Sequence, residues 1–306
     1  MERAIALWFI RRGRDCRNVL NAAALSHASV YQGVLATRRR LRPHGPSSEP
    51  VPTVNQPVPE LSVVIPVRNE AENIAPLVTE IAAALIAGPA YEIIYVDDGS
   101  TDDTAARVRG LIAAHPSLRL IRHDKSCGQS TAVRTGVKAA AARWIATLDG
   151  DGQNDPADIP ALWRMAMEVG SGGALAIAAA GDPPLLIAGH RAKRRDTAIK
   201  RLSSRIANRV RAGLLGDATP DTGCGLKLFR RDTFLDLPYF DHMHRFLPAL
   251  VIRAGGRVVS VRVNHRPRER GQSNYGTLDR LWVGISDLVG VMWLQRRAKR
   301  PVIRPD

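Results

Sequence analysis

Cysteine is scarce in this chain of 306 residues: Cys16, Cys127 and Cys224, with no two in a C-x-x-C pair. That argues against a disulfide framework and a cysteine-based zinc site, and suggests reduced thiols in the cytosol. Aromatic residues make up 5%, and no interleaving with basic residues marks a base-stacking surface, so nucleic acid is not an expected partner. Acidic residues are outnumbered, 29 against 44 Lys and Arg, giving a formal charge of +15 and a pI of about 10.7. Such an excess implies phosphorylated substrates or an anionic membrane surface as partners. Long hydrophobic runs are also missing. Asn18 to Thr37 is free of charge but carries Asn, Ser, His and Gln, and Leu281 to Leu294 is interrupted by Asp287; both fall short of the ~20 mainly apolar residues of a membrane span. The apolar run from Ala4 to Ile10 is short and is followed at once by Arg11 and Arg12, so no signal peptide is expected.

What is present is 45% hydrophobic residues, enough for one large or two small domains with a real core. Residues 1–60 read as a basic arm and a linker rich in Pro and Ser, 61–276 as a catalytic domain, and 277–306 as an amphipathic helix with a basic tail. The domain opens on the apolar strand Leu61-Ser62-Val63-Val64-Ile65-Pro66. Further strands at Tyr91–Val96, Leu118–Ile121 and Trp144–Leu148 alternate with helices at Ala71–Ala87, Asp103–Ala114 and Ser130–Ala142. Alternation of this kind predicts parallel pairing with ligands at the carboxyl ends of the strands.

The strand from Trp144 runs into Asp149-Gly150-Asp151-Gly152-Gln153. Two carboxylates one residue apart on a loop, between glycines that permit tight turning, suit a hard divalent cation such as Mg²⁺ or Mn²⁺, with Gln153 as a neutral oxygen ligand. Pro66-Val67-Arg68-Asn69-Glu70 and Asp97-Asp98-Gly99 end the first two strands. Three polar loops at one sheet edge are more than solvated turns.

The ordered set Ile65-Pro66-x-x-Asn69-Glu70, Val96-Asp97-Asp98-Gly99-Ser100-Thr101-Asp102 and Asp149-Gly150-Asp151-Gly152-Gln153 resembles the family 2 glycosyltransferases of GT-A fold. The likeness is greatest to the subgroup that makes polyprenyl-phosphate sugars, and covers about Leu61 to Tyr275. It implies an α/β fold with a mainly parallel central sheet and helices on both faces. It also implies inverting transfer of a sugar from a GDP- or UDP-linked nucleotide sugar to a polyprenyl phosphate. By that resemblance Pro66, Glu70 and Asp98, with neighbouring Arg68 and Asp97, would bind the donor nucleoside, and Asp149, Asp151 and Gln153 would hold the metal on the diphosphate. Arg191, Lys200, Arg201 and Ser204 would take the acceptor phosphate. Thr219-Pro220-Asp221-Thr222-Gly223 resembles the family's acidic acceptor-side turn, with Asp221 counted among the catalytic residues beside Asp149, Asp151 and Arg191. Arg268 and Ser273 match the R-x-x-G-x-S donor motif, with Asn274 where the family has lysine. Of the family's glycine-rich N-x-G-x-G, Lys125-Ser126-Cys127-Gly128-Gln129-Ser130 keeps only Gly128.

Other stretches carry patterns without an assigned chemistry. Gly170 to Pro184 reads as a flexible insertion. Ile199, Leu202, Ile206, Val210 and Leu214 recur at helical spacing and form one apolar stripe. Cys224 reads as packing. His242 and His244, two apart, are a poor metal pair on a helix. Leu278, Leu281, Trp282, Ile285, Leu288, Val289, Met292 and Trp293 form a wide apolar stripe before Arg296, Arg297, Lys299 and Arg300. It fits either the domain's own core or the interface of an anionic membrane, as a peripheral protein on the cytoplasmic leaflet. Two rival readings stay open: transfer to a hydroxyl of a glycan or lipid, with Asp221 as base, and a nucleotide-binding adaptor without turnover.

Overall fold

Leu61–Val67 forms β1, an interior strand of the sheet, and six of its seven residues are buried. We describe it from a computed structural model covering residues 58–171, 183–191, 211–267 and 277–299, with the side chains of 171 and 277–282 outside the description. The strand is flanked by β2 (Tyr91–Asp97) and β4 (Trp144–Thr147), and β2 by β3 (Leu118–Arg122), all in parallel. Beyond β4 lie β6 (Lys227–Arg230), β5 (Leu185–Arg191) and β7 (Arg257–Val263), giving the order β3-β2-β1-β4-β6-β5-β7. β6 runs antiparallel to both of its neighbours, while β5 and β7 pair in parallel.

Alternation along β1 decides what covers each face. Leu61, Val63, Ile65 and Val67 point into one core with Ile74, Leu77 and Ile81 of α1 (Ala71–Leu85) and Leu162 of α4 (Ile159–Ser171). Val108 of α2 (Thr104–Leu111) joins the same side. Val64 faces the opposite core with Val133 and Val137 of α3 (Gln129–Ala139), Phe234 of α5 (Arg231–Asp236), Leu250 of α6 (Leu247–Arg253) and Val291 of α7 (Thr277–Arg296). Each such side chain taken out of water contributes roughly 1.5–3 kcal/mol. Helices thus lie on both faces of a mainly parallel sheet, and the carboxyl ends of β1, β2 and β4 open on one edge.

The apolar stripe that ends at Leu214 does not face the core at that residue. Leu214 is 44% exposed, whereas Leu215 is buried. The helical segment stops there at Gly216, in the left-handed region at φ 62°, and the Leu215 carbonyl accepts from Gln295 of α7. The rest of that stripe lies outside the described residues. The apolar stripe of α7 is split between two surroundings. Leu288 and Met292 pack beside buried Val291, while Ile285, Val289 and Trp293, four residues apart, face outward.

Candidate active site

The register of the sheet brings three loops together. Val67 pairs with Asp97, and Val64 with Thr147, so Arg68–Glu70, Asp98–Thr101 and Asp149–Gln153 emerge side by side. Asn69, left-handed at φ 56°, ties the first loop to the second: its backbone N–H donates to Ser100 Oγ and its Oδ1 accepts from the Thr101 N–H. Arg68 is exposed, and Glu70 Oε2 accepts from Asn73 Nδ2 at 2.6 Å.

Asp97 and Asp98 are both buried. Asp97 accepts from the Ser100 N–H and from Arg122 Nε at the end of β3, so it fastens its own loop. Asp98 accepts the backbone N–H groups of Cys127 and Gly128, the Ser126 hydroxyl, and a bond shared with His123 Nδ1. Burial works against its charge, yet these bonds outweigh burial and hold its pKa below the usual carboxylate value. Asp98, His123 and Cys127 bring ligand-type atoms within 4.8 Å of one another, but the Asp98 oxygens are already engaged in hydrogen bonds. The cluster is a fastening for the loop before α3.

Asp149 sits in the opposite environment. Burial raises its pKa, Asp151 raises it further, and Lys227, Arg191 and the Gln129 amide offset this only in part. Its backbone N–H donates to Asn154 Oδ1, and its Oδ1 accepts from Gln129 Nε2 at 2.9 Å. The loop turns at Gly152, left-handed at φ 74°. Gln153 is held through its backbone, donating to Asp151 Oδ1 and accepting from the Arg266 N–H. At Gly225 a Cβ atom would overlap the Asp149 carboxylate, so the absence of a side chain there makes room for that carboxylate. Two crowded carboxylates with a neutral amide oxygen nearby fit a hard divalent cation, which favours the ionised form that burial disfavours. Next to Asp151 and Gly152, a cavity of about 450 Å³ is lined by Asn73, Pro76, Leu77, Glu80, Arg266 and Pro267.

On the far side of Asp149, Arg191 at the end of β5 forks onto Asp221, with Nε to Oδ2 at 2.7 Å and Nη2 to Oδ1 at 2.9 Å. Burial lowers the guanidinium pKa, but Asp221 outweighs it and the net shift is upward. Both Asp221 oxygens accept from Arg191, which suits Asp221 to holding the arginine better than to taking up a proton. Lys227 of β6 is buried, and its ammonium donates to the Cys224 carbonyl; burial lowers its pKa. Cys224 is fully buried, and burial raises its thiol pKa, in keeping with a packing role.

His242 and His244 diverge, their rings 6.4 Å apart. His242 Nδ1 lies 3.3 Å from Asp287 of α7, while His244 Nδ1 bonds Ser130 Oγ at 2.7 Å. Burial, together with Lys227, Arg245 and His242, pushes the His244 pKa well below its ordinary value.

The sheet edge therefore gathers Pro66, Arg68, Glu70, Asp97, Asp98, Asp149, Asp151 and Gln153, with Arg191 and Asp221 beside Asp149. Lys200, Arg201, Ser204, Arg268 and Ser273 lie outside the described residues, as do the N-terminal arm and most of the 170–184 insertion. Reading the sequence missed Gln129, Lys227, Asn154 and His123 as parts of this site. Lys227 carried one signal, a lone cation within the apolar Leu226-x-Leu228-Phe229.

Residues 62–237 match the pattern described as Glycosyl transferase family 2. The chain is 35% identical over 264 residues to a dodecaprenyl-phosphate galacturonate synthase of Rhizobium johnstonii, covering 83% of this chain and 73% of that one. It is 30% identical over 229 residues to an undecaprenyl-phosphate 4-deoxy-4-formamido-L-arabinose transferase of Yersinia pestis; the match covers 74% of this chain and 65%, just under two thirds, of the relative's length. Among solved structures it is similar to glucosyl-3-phosphoglycerate synthase of Mycobacterium tuberculosis in complex with Mn²⁺, UDP and glucosyl-3-phosphoglycerate, with TM-score 0.53, 19% identity, and 79% and 81% of the two chains covered. It is likewise similar to mannosyl-3-phosphoglycerate synthase of Rubrobacter xylanophilus, with TM-score 0.53, 18% identity, and coverage of 81% and 78%. At such identities the structural likeness shows a shared fold.

Proposed function

Because the chain belongs to glycosyl transferase family 2 and has the GT-A fold, we propose that it transfers a sugar, with inversion, from a nucleotide sugar to a polyprenyl phosphate. The two relatives, named for dodecaprenyl- and undecaprenyl-phosphate products, support the acceptor class. The Mycobacterium neighbour, solved with UDP and Mn²⁺, is in keeping with a nucleotide-sugar donor, GDP- or UDP-linked, and with a divalent cation. The observation that carries the reading is the placement of two crowded carboxylates, Asp149 and Asp151, beside the partly buried Arg191 on one sheet edge.

The residues divide the work. The loops at Pro66–Glu70 and Asp97–Asp98 would receive the nucleoside. Asp149, Asp151 and Gln153 would hold a divalent cation, Mg²⁺ or Mn²⁺, which neutralises the diphosphate as it departs. Arg191, with Lys200, Arg201 and Ser204, would bring the acceptor phosphate alongside, and Arg268 and Ser273 would contact the donor. A phosphate acceptor is ionised at neutral pH and needs no strong general base. The engagement of Asp221 by Arg191 favours this over a hydroxyl acceptor, for which Asp221 would have to be that base.

Polyprenyl phosphates keep their chains in a bilayer, so the site works at a membrane surface, on the reading that this is the cytoplasmic leaflet. Among the described residues no helix is long and apolar enough to cross a membrane. The outward ridge Ile285, Val289 and Trp293, followed by exposed Arg296, Arg297 and Lys299, suits peripheral docking on an anionic leaflet.

Purified protein incubated with UDP- and GDP-sugars and undecaprenyl phosphate should yield a lipid-linked sugar only when Mg²⁺ or Mn²⁺ is supplied. Transfer to a glycan hydroxyl with none to the lipid would overturn the acceptor class, and full activity in EDTA the metal. Arg191→Lys keeps the charge but loses the fork, and should raise the acceptor KM about tenfold at unchanged donor KM. Paired Val289→Ser and Trp293→Ser should weaken sedimentation with anionic liposomes by about tenfold or more. Unchanged sedimentation would remove α7 from the membrane contact.

A further inference from the structure

Asp149 lies near two cations, buried Lys227 and partly buried Arg191, either of which offers a partner for its partly buried carboxylate. Both are held elsewhere: Lys227 donates to the Cys224 carbonyl and Arg191 forks onto Asp221. The bond that Asp149 Oδ1 accepts from a side chain comes from a neutral amide, Gln129 Nε2 at 2.9 Å. Gln129 is the first residue of α3 and directly follows the loop that Asp98 fastens through Ser126, Cys127 and Gly128. A chain of hydrogen bonds and backbone thus runs from the carboxylate at the end of β2 to the carboxylate beyond β4.

We propose that Gln129 is a positioning residue for the cation site, its amide keeping the Asp149 carboxylate available to a divalent ion instead of to Lys227 and Arg191, with Asp98 setting where Gln129 stands. An amide suits this role because it orients a carboxylate without neutralising it, whereas a cation at the same place would compete with the metal. The inference rests on the metal reading of Asp149 and Asp151, and one experiment separates the two.

Mn²⁺ binding to the full-length protein is measured by the EPR signal of the free ion, without donor or acceptor. Loss of binding in Asp149→Asn tests the site itself; if that variant binds as wild type does, the ion is elsewhere and the metal reading fails. With the site established, Gln129→Leu should weaken Mn²⁺ about tenfold, the loss typical of removing a residue that orients a metal ligand, at an unchanged melting temperature. Gln129→Lys should weaken it more, because its ammonium competes with the ion. Asp98→Asn should also weaken Mn²⁺ although it does not touch Asp149, and adding Gln129→Leu to it should cost less than the sum of the two. Wild-type Mn²⁺ affinity in folded Gln129→Leu, or strictly additive losses in the pair, would overturn the proposal.

Discussion

Asp98 and Asp149 follow the ends of β2 and β4, the two strands that flank β1, and both are acidic residues placed where buried charge meets solvent. Asp98 is surrounded by donors: two backbone N–H groups, a hydroxyl and an imidazole. Asp149 is surrounded by another carboxylate, a glycine that leaves it room, and cations engaged elsewhere. The first is lowered in pKa and the second raised. A saturated carboxylate builds structure, and an undersupplied one is ready for a cation. Residue type alone does not tell them apart; the donors around each one do.

The sharpest way to break this contrast is at Asp149. Asp149→Asn should lower turnover by about 10³-fold, equivalent to the several kcal/mol that a Lewis-acidic cation supplies. Its melting temperature should be unchanged or higher, because a carboxylate with a raised folded pKa costs stability when ionised and the amide removes that cost. Asp98→Asn should behave the other way. It turns an amide group toward buried donors, so urea unfolding should show a loss of about 2 kcal/mol, with donor KM raised more than kcat is lowered. If both variants lose stability alike, the two carboxylates do not differ as described.

A smaller effect comes from His244, which bonds Ser130, the residue after Gln129. Its folded pKa is depressed, so its neutral form is favoured in the folded state. The associated stability is fully present above the unfolded histidine value of about 6.5 and declines as pH falls from there toward the folded value, by up to about 1.4 kcal/mol per unit. The urea midpoint of wild type should therefore fall more between pH 7.5 and 5.5 than that of His244→Asn. Parallel curves would place the histidine in contact with water.

Most of the sheet edge was legible in the chain. Leu61–Val67, Tyr91–Asp97 and Trp144–Thr147 are apolar runs ended by proline or aspartate, and hydrophobic pattern and turn chemistry are local properties. The mainly parallel order followed from strand–helix alternation. Less legible was β6, four residues that begin with a lysine and end with an arginine, a pattern that suggests no buried strand. Its burial comes from pairing with β4 and β5, which no local pattern records. Leu214 stands outward and Leu215 inward where the helical segment stops at Gly216 and its last turn meets α7, a contact that no local pattern records.

The sequence by itself determined where carboxylates would stand, since each follows its strand directly, and it carried the family likeness in those same short stretches. Only the tertiary structure decided what each carboxylate does. The donors on Asp98 arrive from the loop before α3, the amide on Asp149 from the first turn of that helix, and the space at Gly225 from beyond β5. Burial and hydrogen bonding depend on neighbours in space, and these neighbours are brought together by the pairing of β4 with β6 and the packing of α3 on the sheet.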